Sequence, residues 1–93
     1  MADSFGTAVK DLEKAARDLK KAQDKERDLH KKARKAFDKI FESDPPSEEL
    51  ARQYQRGIER QLTAADRELE AAEKAFMRAF EKFQRELNKL VFR

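Results

Sequence analysis

Neither cysteine nor tryptophan occurs in these 93 residues; proline and glycine occur twice each, tyrosine and histidine once. Without cysteine there are no disulfides and no thiolate metal sites, and thiols give no clue to compartment. Two isolated glycines make no phosphate-cradling loop, and a lone histidine without a cysteine leaves little from which to build a nucleophile and its base. No enzymatic activity and no cofactor are therefore expected. The longest apolar runs are three residues, such as Leu90-Val91-Phe92, against the ~20 that a bilayer-spanning helix needs. Met1-Ala2-Asp3-Ser4-Phe5 shows neither a basic region nor an apolar core of the kind a cleaved secretory signal carries. The expected location is the cytoplasm, with signal-less secretion left open.

What is present is charge. Asp, Glu, Lys and Arg make up 44% of the chain, and apolar residues 39%. Such a composition, rich also in Ala and Leu, belongs either to long exposed helices or to a disordered chain. Periodicity decides between them, because the apolar residues recur at helical spacing. Net charge is only +3 at a sequence pI near 9.3, a weak lean toward acidic partners.

One segment breaks the pattern, Ser43-Asp44-Pro45-Pro46-Ser47. Proline lacks the amide hydrogen and drives the preceding residue out of helical geometry. The chain is thus expected to be one domain, 1–93, with a first helix over about 4–42, a turn at 43–47 and a second helix over about 48–92. Asp3 or Ser4 is a candidate cap for the first helix, and Asp44 or Ser47 for the second. So short a connection makes the helices antiparallel neighbours.

The seam of the first helix runs Phe5, Ala8, Leu12, Ala15, Leu19, Ala22, Glu26, Leu29, Ala33, Ala36, Ile40. The second continues Ala51, Gln55, Ile58, Leu62, Ala65, Leu69, Ala72, Phe76, Ala79, Phe83, Glu86, Leu90. Alternating steps of three and four over this length spell a coiled coil. Large residues and alanine also alternate, so an antiparallel pairing sets bulk against alanine. The fold class expected is all-α: two long helices in an antiparallel coiled-coil hairpin, a rod of roughly 60 Å, dimerising into a four-helix bundle.

Three features stand out as candidate sites. Phe76, Met77, Phe80, Phe83, Leu87, Leu90, Val91 and Phe92, with Phe5 and Val9 from the first helix, gather more large apolar groups than one partner helix covers. They are the expected partner-binding face, first of all for a second copy. Arg27, Lys31, Lys35 and Lys39, with Arg52, Arg56 and Arg60, form a basic ridge. It suits an acidic protein. Nucleic acid is the less favoured partner, because no recognised motif or aromatic platform accompanies the ridge. Glu26, Gln23 and His30 form a polar layer on the seam, with Arg60 or Gln61 expected opposite. One histidine four residues after a glutamate departs from the Glu-x-x-His pattern of di-iron bundles, so no metal is expected. Gly57 is expected on the exposed side of the second helix.

Around the turn, Ala36-Phe37-Asp38-Lys39-Ile40, Asp44-Pro45-Pro46, Leu50-Ala51 and Tyr54-Gln55 resemble the central hairpin of type III secretion needle subunits. Those proteins carry an Ala-x-Asp-Lys-Leu stretch, a proline-containing turn and a Leu-Ala-x-Tyr-Gln stretch, and some end in Phe-Arg, as Phe92-Arg93 does. The resemblance covers about 20 residues. It departs by one extra residue across the turn and another between Ala51 and Tyr54. It implies a secreted filament subunit, whereas the charge fits the small helical chaperones of the same systems better. WXG-type secreted hairpins match in length alone. The sequence thus points to a non-enzymatic protein-binding module: an adaptor, chaperone or assembly subunit. Needle subunit and non-specific nucleic-acid binder are the alternatives.

Overall fold

The computed structural model describes residues 2–92, with side chains from residue 4 onward, and every regular element among them is helical. Helix α1 spans Ala2–Ile40; a second arm follows as α2 (Glu48–Tyr54), a π-helical turn (Gln55–Glu59) and α3 (Arg60–Val91). Ser4 lies inside α1, and the expected cap by the Asp3 side chain lies outside what the structure describes.

The exit from α1 comes at Ile40, two residues before Glu42. The Phe41 and Glu42 amides still reach back to Phe37 O and Lys39 O, at 3.3 and 3.4 Å, so the last turn tightens before the prolines. Ser47 N–H then donates to Ile40 O at 3.1 Å, which ties the two ends of the connection together. The Ser47 hydroxyl accepts from Leu50 N–H at 3.3 Å, with Glu48 and Glu49 in the first turn of α2, where their charge opposes the helix dipole favourably.

The second arm is not one continuous α-helix. A π-helical turn takes up an additional residue, and Gly57, a weak helix former, stands at its centre. Gly57 is partly covered, yet a Cβ built there meets nothing within 4 Å. Close packing therefore does not require the glycine. The extra residue moves the inward stripe: Tyr54 is half-buried, and Gln55, expected on the seam, is exposed.

Contacts between the arms pair low residue numbers with high ones. The Phe5 and Phe83 rings stand 5.6 Å apart, Asp11 meets Lys82 at 3.3 Å, and Lys25 meets Glu68 at 3.0 Å. These exposed ion pairs contribute little stability, typically below about 1 kcal/mol each. They mark the register more than they hold it.

The buried apolar side chains are Ala8, Ala15, Ala22, Leu29, Ala33, Ile40 and Ala65, five of them alanine. Leu12, Leu19, Leu62, Leu69, Phe76 and Phe83 remain half-buried. Small residues let the two backbones approach, and the large ones can only lean over the shallow layer they form. The shape follows, with principal extents of 70 × 16 × 15 Å. The radius of gyration is 20.5 Å, against about 12 Å for a compact domain of this length. Accessible surface is 7689 Å², against roughly 5600 Å² for a compact monomer of this mass. No helix among the described residues is long and apolar enough to cross a membrane.

The thin seam can be tested at neighbouring alanines. Ala65 is 1% exposed whereas Ala64 faces solvent. Ala65→Leu should lower unfolding free energy by about 1–3 kcal/mol through overpacking. Ala64→Leu should change it by no more than about 0.5 kcal/mol. Denaturant melts followed by circular dichroism measure both.

Candidate interaction surfaces

At the end of the rod remote from the turn, α3 carries Phe76, Phe80, Phe83, Leu87 and Leu90 at steps of three and four, all on one helical stripe. Phe5 of α1 packs against Phe83 on the seam side of this stripe, and Val9 of α1 is itself half-buried. Met77, Phe80, Leu87 and Val91 project along one flank and stay exposed, as does Phe92 at the tip. Phe76 and Phe80 stack with ring centroids 6.2 Å apart. Leu90, expected on the seam, is 41% exposed. The reason is geometric: Phe5 lies against Phe83, and Leu90 is two turns further out. The expected face thus divides into partly covered Phe5, Val9, Phe76 and Phe83 and open Met77, Phe80, Leu87, Val91 and Phe92.

The basic residues divide in another way. Residues four apart on an α-helix drift around its axis, so Arg27–Lys31–Lys35–Lys39 does not stay on one side. Arg27 and Lys31, with His30, Arg34, Phe37 and Tyr54, line a groove of about 530 Å³. Lys35 and Lys39, with Lys32, Leu50, Tyr54 and Ile58, line one of about 380 Å³. Tyr54 borders both, and no carboxylate lines either. The α1 part of the expected ridge is therefore divided between two basic grooves. Arg52, Arg56 and Arg60 are exposed on the second arm, and Arg52 lies 3.8 Å from Glu48.

An aromatic pair does accompany these cations. Phe37 and Phe41 are 53% and 56% exposed, with ring centroids 4.7 Å apart. The seam reading overlooked them because Ala36 and Ile40 take the inward positions beside them. Two large apolar residues four apart and off the seam were the signal. The rod thus exposes large apolar groups at both ends and charge between.

The polar layer holds a further difference. Glu26 is half-buried and His30 exposed, with Glu26 Oε1 and His30 Nε2 3.4 Å apart. Asp66 of the second arm brings a carboxylate to this cluster, while Gln61, expected opposite Glu26, borders a groove with Lys25, Asp28, Leu29 and Lys32. Glu26 Oε2 is buried without a hydrogen-bond donor, and leaving a buried acceptor unpaired costs about 1–3 kcal/mol, more for a charged one.

No family model, no curated protein and no solved structure matches this chain.

The grooves generate a prediction about class. Phosphate binding through Arg27, Lys31 and Arg34 falls steeply with salt through counterion release. Fluorescence anisotropy with a labelled single-stranded oligonucleotide should show weak binding at low salt and none near physiological salt. Tight binding that survives ~200 mM salt and disappears in Arg27→Glu/Lys31→Glu/Arg34→Glu would make nucleic acid the partner.

Proposed function

We propose that this chain is a non-enzymatic protein–protein interaction module. Its working unit is an antiparallel coiled-coil hairpin, and two hairpins pair through the open-end strip into a four-helix bundle. The observation that carries this reading is the exposure of Phe80, Leu87, Val91 and Met77 on one flank of α3, beside a seam whose buried layer is mostly alanine.

Energetics supports it. A large apolar side chain gains about 1.5–3 kcal/mol on full burial, and the flank holds four at helical spacing. The second hairpin already carries the complementary surface, because a two-fold interface uses the same patch on both copies. Helix pairing by steps of three and four then extends across the dimer the packing that each hairpin uses internally. The grooves between the helices are open troughs lined mainly by cations and apolar groups. They favour contact with another chain over enclosure of a substrate. Adaptor, chaperone and assembly subunit are the roles such a bundle serves, with the turn-end aromatics and cations left free for a second partner.

Type III needle subunits offer a second reading, carried by the turn residues described above. The two readings differ in closure, since head-to-tail contacts grow without limit whereas a two-fold pair stops. Size exclusion with light scattering should give twice the 10.9 kDa chain mass, unchanged as concentration rises. Phe80→Glu/Leu87→Glu should halve that mass while the helical circular dichroism signal persists. A wild-type monomer at micromolar concentration contradicts the proposal, and ordered filaments at high concentration favour the needle reading.

A further inference from the structure

We infer that Glu26, His30 and Asp66 form a divalent transition-metal site that clips the two arms of one hairpin together, with Zn²⁺ the ion best matched. Their ligand atoms, one from each residue, all lie within 4.8 Å of one another. Glu26 and His30 are one turn apart on α1 and therefore share a face, the relation by which two helical residues chelate one ion. Asp66 reaches the same point from α3. The 3.4 Å between Glu26 Oε1 and His30 Nε2 fits two ligands about 2.1 Å from a tetrahedral ion, and the wider separation of up to 4.8 Å within the cluster closes by a rotamer shift of the exposed Asp66 side chain.

Two further observations point the same way. Glu26 Oε1 faces His30 while Oε2 is buried and has no donor, so an ion that takes both oxygens of this carboxylate supplies what the protein leaves out. Two carboxylates and one neutral imidazole also balance a divalent charge, and a mixed nitrogen and oxygen donor set suits zinc better than calcium or magnesium, which prefer oxygen alone. Arg27 and Lys31 stand beside His30 in the groove and oppose the ion, but from exposed positions where water screens them. The fourth coordination position faces solvent on the His30 side, since His30 is 62% exposed. The expectation of no metal rested on the departure from the Glu-x-x-His pattern and on the single histidine, and it placed no carboxylate of the second arm opposite Glu26.

The test is titration of the full chain with Zn²⁺ alone, followed by calorimetry and by thermal melting. One ion per chain should bind with a dissociation constant on the order of micromolar. At ~100-fold excess over that constant, the melting midpoint should rise by roughly 10 °C. His30→Ala and Asp66→Asn, both at exposed positions, should each weaken binding by roughly tenfold or more, with Asp28→Asn as the unaffected control. Monomeric Phe80→Glu/Leu87→Glu should bind as well as wild type, so this test and that of the dimer succeed or fail separately. Absence of binding, or binding that survives His30→Ala, overturns the site. Loss with His30→Ala but not with Asp66→Asn leaves a chelate on one helix and overturns the clip.

Discussion

The structure depends on how closely two helices approach along a single seam. Alanine at Ala8, Ala15, Ala22, Ala33 and Ala65 lets the backbones come near, and that nearness leaves no depth for anything larger. Leucine and phenylalanine at the alternate positions are half-buried because a second helix alone cannot surround them. In a compact domain the same residues would be covered on all sides. Here their remaining surface is directed outward, at right angles to the rod axis. The excess of accessible surface over that of a globular protein is the same fact seen from outside.

That constraint gives the two ends of the rod different chemistry. At the open end the seam residues grow from alanine and leucine to phenylalanine, and the flank stays apolar as well, so bulk accumulates faster than cover. At the turn end the flanks are basic, and exposed Phe37 sits among the cations with Phe41 against it. Between them Lys25–Glu68 and Asp11–Lys82 cross the arms in water. The charged middle keeps rods from stacking along their whole length, because each such contact would strip water from many ions. On the proposed reading, association is confined to the ends.

Much of this was legible in the sequence, for a physical reason. Helix phase is set by local spacing, so a strict three-four pattern reports which side faces inward without any knowledge of the partner. Hence Ala8, Leu29 and Ile40 fall where the spacing puts them, and Ser47 caps as its neighbours suggest. Register between arms is another matter. It depends on how many residues the turn and the second arm consume, and a π-turn consumes one more than the pattern shows. Gln55 for Tyr54 is an error of this kind. Asp66 in place of Arg60 or Gln61 is a larger slip than one π-turn makes, and the Lys25–Glu68 pair beside it shows the register that the spacing alone does not reveal. Leu90, expected on the seam, is exposed two turns beyond the Phe5–Phe83 contact. Phe37 and Phe41 were visible as a pair, but attention to the seam hid what lay off it.

The central claim is that the open ends of two hairpins come together, and a distance across the dimer tests it most directly. The chain has no cysteine, so Arg85→Cys, on the side of α3 away from the apolar flank, carries the only spin label in the molecule. Pulsed dipolar spectroscopy should give one intermolecular distance of about 20–40 Å, the span of a four-helix bundle with the labels on its outside. A distance near the full 70 Å length of the rod, or no intermolecular coupling in a sample of dimeric mass, would contradict the account.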